Sequence, residues 1–152
     1  MIKILCVGKI KEDFFTNGIK EYQKRIEGFS KFSIVEVKEV NTLDISKNIE
    51  EEGKNILSKI ADDEFVITLE IKGKAIDSVE LAKLIEEKQT YGMSKITFVI
   101  GGSNGLSESV IKRSDYHLSF SKFTFPHQLM RLILTEQIYR AITIIKNKEY
   151  HK

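Results

Sequence analysis

The chain has little cysteine, little proline and no tryptophan: its 152 residues include one Cys, one Pro and no Trp. A single cysteine cannot form an internal disulfide, which excludes a fold held together by disulfides. Cys6 lies in an apolar segment, where a small buried side chain is a more common role than a reactive thiol. The histidines 117, 127 and 151 lack the spacing of a zinc site, so we expect no metal.

Long hydrophobic runs are also absent from the chain. No apolar stretch approaches the ~18 residues of a transmembrane helix. Residues 1–8 lack the basic start and the small-residue cleavage site of a signal peptide. We therefore expect a cytoplasmic protein without a membrane segment.

The charges are nearly balanced overall but unevenly distributed. Residues 1–100 hold 16 Lys and Arg against 18 Asp and Glu, a net charge of −2. Residues 101–152 hold 8 against 4, a net charge of +4. A basic final third gives mild support for a polyanionic partner in that region.

Short apolar segments alternate with segments of helical periodicity along the chain. This alternation predicts an α/β fold with a mostly parallel sheet flanked by helices. The predicted strands are residues 2–7, 32–40, 65–71, 96–100 and 116–120. No linker, repeat or low-complexity segment interrupts the pattern, so residues 1–152 are interpreted as a single domain.

The last predicted helix begins at Pro126 and is unusually apolar. Residues 129–145 carry more hydrophobic side chains than one stripe can bury against one sheet face. Either this helix is deeply internal or its second face meets another subunit. Helices normally cover the outside of such a sheet, which favours a dimer.

A glycine-rich turn follows the fourth predicted strand. Residues 98–106 read Phe-Val-Ile-Gly-Gly-Ser-Asn-Gly-Leu, and Ser107 then opens a short helix. Glycines allow a ligand to approach the backbone closely. No Gly-Lys-Ser/Thr follows, so this is not a phosphate loop, and Ser103 breaks the dinucleotide fingerprint. A tight turn with no ligand is an equally good interpretation of this segment alone.

A polar and aromatic loop follows the fifth predicted strand. Residues 118–127 combine Ser and Thr with three phenylalanines before the helix begins. Hydroxyl and backbone groups beside aromatic rings suit a purine ring with a ribose attached. The alternative is that the phenylalanines simply pack beneath the loop.

Two features mark the end of the chain. Glu136 and Arg140 lie four residues apart on the last helix, where they can form a structural or a functional ion pair. The terminal residues 146–152 are basic and contain Tyr150 and His151. Such a tail can contact phosphates and stack on a base, or it can be frayed and solvated.

Four segments in this order resemble the bacterial large-subunit ribosomal RNA methyltransferase H family, of the SPOUT class. They are residues 68–74, 98–105, 118–128 and 150–152, and the resemblance covers essentially the whole chain. It implies a homodimer and a C-terminal deep trefoil knot that forms the cofactor pocket. It also implies methyl transfer from S-adenosyl-L-methionine to N3 of a pseudouridine in the helix 69 loop of 23S rRNA, on the assembled 70S ribosome.

The resemblance also assigns site residues. The implied cofactor-binding residues are Leu69, Gly101, Phe120, Ser121, Lys122, Phe123, Thr124 and Phe125. The implied substrate-side residues are Glu136, Arg140, Tyr150, His151 and Lys152, with the tail of one protomer completing the site of the other. We expect His151 to act as general base, Tyr150 to orient the target base, and Arg140, held by Glu136, to stabilise negative charge.

Three other functions remain open from the sequence. They are an RNA- or ribosome-binding module that uses the basic tail, a SPOUT methyltransferase acting on tRNA, and a nucleotide-binding oxidoreductase if the glycine turn is misread. Titration with S-adenosylmethionine distinguishes a methyltransferase from a pure binding module, because only the former binds the cofactor.

Overall fold

The computed structural model describes residues 1–152 and contains alternating strands and helices. The strands β1 to β5 are Ile2–Val7, Phe32–Val37, Phe65–Ala75, Ile96–Ile100 and Tyr116–Ser119. The helices α1 to α5 are Asp13–Glu27, Ile45–Leu57, Ser78–Thr90, Glu108–Arg113 and His127–Ile145. None of these helices has the length and apolar character needed to cross a membrane.

The five strands form one sheet in the order β2-β1-β4-β3-β5, and every neighbouring pair is parallel. Helices cover both faces of this sheet. On one face Ile4 and Cys6 of β1 join the larger core with α1, α3 and α5. On the other face Leu5 and Val7 join a smaller core with α2 and α4. The predicted α/β architecture is therefore confirmed.

The ends of two strands differ from the sequence-based prediction. Strand β2 stops at Val37 instead of residue 40, and the backbone N–H of Val40 instead donates to the Glu52 carboxylate at 2.9 Å. Strand β3 continues to Ala75, four residues beyond the predicted end at Ile71. Strands β1 and β4 have the predicted bounds, β5 ends one residue before its predicted end, and the last helix begins one residue after Pro126.

Helix α5 lies on one face of the sheet, in contact with α1 and α3. Leu134 and Ile138 are fully buried, whereas Leu129, Leu132 and Ile133 are only half-buried. Contact with the sheet and two helices accounts for much of the apolar surface that the sequence shows in this helix. The dimer and the knot stay predictions.

One buried charge on α5 was not anticipated from the sequence. Arg131 is only 2% exposed, and it donates to the Glu36 carboxylate at 2.6 Å and to the Gly8 carbonyl oxygen at 3.0 Å. Gly8 ends β1 with a φ of +86°, a conformation that favours glycine. The guanidinium therefore ties the beginning of α5 to the carboxyl ends of β1 and β2.

Cys6 has the buried position that the sequence predicts. Its side chain is 1% exposed, and its thiol lies 3.6 Å from the Val35 carbonyl oxygen. Burial raises the pKa of the thiol to about 12. The thiolate needed for nucleophilic chemistry is therefore disfavoured.

Candidate functional site

A cavity of about 370 Å³ opens at the carboxyl ends of β3, β4 and β5. Small-molecule sites typically enclose ~300–1,000 Å³, so the cavity has the size of a cofactor site. Three segments line it: residues 69–72 of β3, the glycine turn after β4, and the loop from Phe120 to the start of α5. The cavity brings together seven of the predicted cofactor residues: Leu69, Gly101, Phe120, Ser121, Phe123, Thr124 and Phe125. Lys122 is exposed and does not line the cavity.

The glycine turn lines the cavity and is closed by a backbone hydrogen bond. The N–H of Gly105 donates to the carbonyl oxygen of Gly102 at 3.1 Å, and Gly105 has a φ of +87°. A Cβ atom at Gly101 would lie 3.0 Å from the Gly105 carbonyl carbon and 3.0 Å from a methyl group of Leu106. Any larger side chain at Gly101 must therefore shift the turn or enter the cavity.

The side chain of Glu52, on α2, lies against the glycine turn. No pattern in the sequence predicted this position. This side chain is buried, and a Cβ atom at Gly102 would lie 3.2 Å from its Oε1. Burial raises the pKa of this carboxyl group. Since Glu52 also binds the Val40 N–H, it connects the loop after β2 with the turn.

The phenylalanine loop takes its shape from short hydroxyl contacts. The Ser119 hydroxyl is 3.0 Å from the Ile71 carbonyl oxygen, and the Ser121 hydroxyl accepts from the Phe123 N–H at 3.0 Å. Phe123 is 77% exposed, so it does not pack beneath the loop. Phe120 and Phe125 are half-buried in the cavity wall. The loop thus presents aromatic surface to the cavity and to solvent.

Strand β3 bulges where it passes the cavity. Leu69 and Lys74 both pair with Leu118 of β5, so residues 70–73 stand outside the regular ladder. A Cβ atom at Gly73 would lie 2.8 Å from the Leu118 carbonyl carbon, so this close approach requires glycine. The bulge carries Glu70 and residues 71 and 72 to the cavity.

The Glu70 carboxylate is held in place by its neighbours. The Thr68 hydroxyl donates to its Oε2 at 2.6 Å, and Nδ1 of His117 contacts the same oxygen. The sequence analysis assigned no role to Glu70. The signal that could have revealed it is the pair of charged residues, at positions 70 and 72, that follows the buried residues 65–68 of the strand.

The predicted substrate-side residues form a second, polar cluster. Arg140 donates to Glu136 Oε1 from Nε at 2.9 Å and lies 2.7 Å from it through Nη2. The Tyr150 hydroxyl donates to the same oxygen at 3.2 Å, and Arg140 Nη1 lies 3.1 Å from His151 Nδ1. Residues 150 and 151 are therefore folded back onto α5. Lys152 is exposed and makes none of these contacts.

Aromatic contacts hold Tyr150 in this cluster. The centre of its ring lies 4.8 Å from that of Tyr139 in an edge-on arrangement, and the Arg140 guanidinium lies 4.8 Å from it. Burial, together with the nearby Tyr22 hydroxyl and Glu136 carboxylate, raises the pKa of Tyr150 to about 12. Tyr150 is therefore a neutral phenol at physiological pH.

The cavity and the polar cluster lie at different positions along α5. His127 and Met130 of the first turn line the cavity, whereas Glu136, Arg140, Tyr150, His151 and Lys152 do not. Glu136 follows Met130, the nearer of these two lining residues, by six residues, which is about 9 Å along a helix. No group of three or more His, Cys, Asp or Glu side chains is arranged to hold a metal ion.

Comparisons with known proteins identify the family of the chain. The family described as "Predicted SPOUT methyltransferase" matches residues 1–151. The chain is 49% identical to the ribosomal RNA large subunit methyltransferase H of Carboxydothermus hydrogenoformans and 53% identical to that of Limosilactobacillus reuteri. Each alignment spans 157 positions and covers 99% of both proteins.

Solved structures of distant sequence share the fold. A probable methyltransferase from Bordetella pertussis superposes with a TM-score of 0.55 at 12% identity, over 93% of this chain and 95% of that protein. The tRNA (m1G37) methyltransferase of Aquifex aeolicus gives 0.52 at 15% identity, over 91% of this chain and 69% of that protein. With a family match that spans almost every residue, the chain belongs to the SPOUT methyltransferase family.

Proposed function

We propose that this protein methylates N3 of a pseudouridine in the helix 69 loop of 23S rRNA on the assembled 70S ribosome, using S-adenosyl-L-methionine. We place this reaction in the cytoplasm, and the active form is a homodimer. The observation that carries the proposal is the cavity, because seven of the eight residues assigned to the cofactor line it. Relatives about half identical to this chain are named for ribosomal RNA methylation.

The lining of the cavity suits S-adenosylmethionine, which supplies an electrophilic methyl group on its sulfonium. Phe120, Phe125 and Leu106 offer apolar and aromatic surface for a flat purine. The hydroxyl groups of Ser121 and Thr124 and the backbone of the glycine turn offer polar partners for a ribose. The fit therefore rests on both the size and the chemistry of the cavity.

The separation along α5 supports a site shared between two protomers. One chain places its polar cluster about 9 Å along α5 from Met130, the nearest lining residue of that helix, and no residue of the cluster lines the chain's own cavity. The half-buried Leu129, Leu132 and Ile133 lie on the first half of this helix and can be covered by a second copy. We infer that the tail of one protomer completes the cavity of the other.

Proton removal from N3 is the task assigned to His151. Because a guanidinium only donates, Nδ1 of His151 accepts from Arg140, and the neutral ring carries its proton on Nε2. His151 can take a proton only after Arg140 releases Nδ1. Tyr150 is not the base, since its raised pKa keeps it neutral, and it instead orients the nucleotide.

Arg140 is the group that can stabilise the negative charge that develops on the uracil oxygens as the N3 proton leaves. Its two contacts with Glu136 fix the guanidinium and leave Nη1 directed to His151. When Nη1 moves from His151 to a substrate oxygen, the same motion frees the base and stabilises the charge. This exchange couples the two roles.

The test is methylation in vitro with radiolabelled S-adenosylmethionine. The substrates are 70S ribosomes from a strain without this gene, isolated 50S subunits and bulk tRNA. We expect label on 70S ribosomes, mapped by mass spectrometry to the helix 69 fragment of 23S rRNA. Label on tRNA alone, or at another 23S site, would contradict the proposed substrate, and no cofactor binding by calorimetry would contradict the proposed reaction.

A further inference from the structure

We propose that Glu70 and Lys72 form a subsite for the zwitterionic amino-acid end of the cofactor. In this subsite Glu70 accepts from the α-ammonium group and Lys72 binds the α-carboxylate. The inference rests on the proposed function, in which the cofactor is S-adenosylmethionine, and adds the orientation of that molecule in the cavity.

The β3 bulge is the structural basis of the subsite. A regular strand would direct successive side chains to opposite faces of the sheet. Here Leu69 and Lys74 share the partner Leu118, and four consecutive residues, 69–72, all line the cavity, with Glu70 and Lys72 among them. The close contact at Gly73 fixes the bulge against β5. A carboxylate and an ammonium are thus placed together on one wall.

The geometry of Glu70 leaves one oxygen for a ligand. Its Oε2 is bound by Thr68 of β3 and His117 of β5. Its Oε1 accepts no hydrogen bond from the chain, and it is not a buried atom. One oxygen of this half-buried carboxylate is already held and the other is free. The free oxygen can therefore accept a hydrogen bond from a cation without further ordering of the side chain.

Lys72 has no competing partner. It is exposed and takes part in none of the ion pairs of the chain, including the one that holds Glu70. Its ammonium group is therefore free to bind a carboxylate at the mouth of the cavity.

The charges of the remaining lining define the orientation. Glu70 is the only carboxylate among the lining residues, and Lys72 and His127 are the only ionisable basic ones. The phenylalanine loop and the glycine turn are otherwise apolar or neutral. An adenosine against these two segments leaves the amino-acid end at the β3 wall, where both of its charges find a partner.

The experiment compares three ligands by calorimetry: S-adenosylmethionine, its decarboxylated form and 5′-methylthioadenosine, which lacks the amino-acid end. The variants are Glu70→Gln and Lys72→Met. The matched controls are Glu86→Gln on α3 and Lys74→Met on β3, both exposed and outside the cavity lining. Thermal melting without ligand checks that each variant is folded.

We expect Glu70→Gln to weaken S-adenosylmethionine and its decarboxylated form about tenfold or more, since both carry the ammonium group. Lys72→Met should weaken only S-adenosylmethionine, by about threefold to tenfold, because this exposed cation acts on the carboxylate alone. Neither variant should change the affinity for 5′-methylthioadenosine, and the controls should match the unmodified protein.

Three results would overturn the subsite. Glu70→Gln weakening 5′-methylthioadenosine as much as S-adenosylmethionine would show that Glu70 only shapes the cavity. If Lys72→Met weakened binding of the decarboxylated ligand as much as that of S-adenosylmethionine, Lys72 would not bind the carboxylate. Unchanged affinities in both variants would show that neither Glu70 nor Lys72 contacts the amino-acid end. Failure of the unmodified protein to bind S-adenosylmethionine contradicts the proposed function instead, so the two failures are distinguishable.

Discussion

The cavity and the polar cluster are built in opposite ways. The cavity is enclosed by three segments that follow neighbouring strands, and its walls are largely backbone and apolar side chains. The polar cluster lies on the second half of one helix and depends on the last residues of the chain, with Glu136 Oε1 as its centre. In the proposed function, a bound cofactor needs only the first, whereas proton transfer needs the second. The comparison indicates that binding and chemistry can be lost separately.

Gly101→Val should produce the largest effect, and only on the cavity. Its side chain begins 3.0 Å from Gly105 and Leu106, so the added methyl groups enter the cavity or displace the turn. We expect the affinity for S-adenosylmethionine to fall by ~100-fold or more, as measured by calorimetry. The tail contacts should survive, and near-normal cofactor binding would show that the turn is not part of the site.

Arg140→Ala should lower the rate of methylation and leave cofactor binding intact. Removing one charge-stabilising donor typically lowers a rate by ~10²–10³-fold. We expect that loss in single-turnover methylation of 70S ribosomes, with cofactor affinity unchanged within about twofold because Arg140 does not touch the cavity. Lys83→Ala, at an exposed lysine of α3, serves as the control. Unreduced methylation by Arg140→Ala removes this residue from the mechanism.

Mixing two inactive variants tests whether the cavity and the cluster act across protomers. After random exchange of subunits, a Gly101→Val and His151→Ala mixture contains mixed dimers with one intact cavity and one intact tail. If the tail completes the partner's site, each mixed dimer has one working site of two. Because about half of the dimers in an equal mixture are mixed, about one quarter of the normal rate should return. If each chain uses its own cluster, the mixture stays inactive. Each variant alone gives the baseline.

The smallest expected effect is the response of the polar cluster to alkaline pH. Tyr150 has a pKa raised from 10.0 to about 12, so its stabilising contribution is complete below pH 10 and is lost as the pH rises towards 12. Absorbance titration of phenolate should show one late-titrating tyrosine that Tyr150→Phe removes. Tyr91→Phe, at an exposed tyrosine, should leave it in place. A Tyr150 that titrates near pH 10 would contradict the described contacts.

The cavity was more accessible to sequence reasoning than its bulge. Buried strands such as Ile96–Ile100 are mostly apolar, and loops after parallel strands meet at one edge of a sheet, so the glycine turn and the phenylalanine loop could be placed together. The register of β3 against β5 depends on the contact at Gly73, which no local pattern reveals. Glu70 was therefore missed, and Lys122, which the resemblance assigns to the cofactor, does not line the cavity.

Long-range polar contacts were equally beyond the sequence. The pair of Glu136 and Arg140 follows from helical spacing and is confirmed. Arg131 lies on the same helix, but its partner Glu36 is 95 residues away in the chain, and only the folded sheet brings them together. The same holds for Glu52, whose contact with the glycine turn joins two elements that are distant in sequence.

The strand order has a consequence for how the chain is made. Strand β1 can pair with β2 early in synthesis, but both neighbours of β3 are strands that come later, β4 and β5. Parallel pairings across such distances form slowly. A nascent chain therefore carries an unpaired β3 until β4 has emerged, and a product truncated before residue 116 lacks β5 and exposes the other edge of β3, which is prone to aggregation.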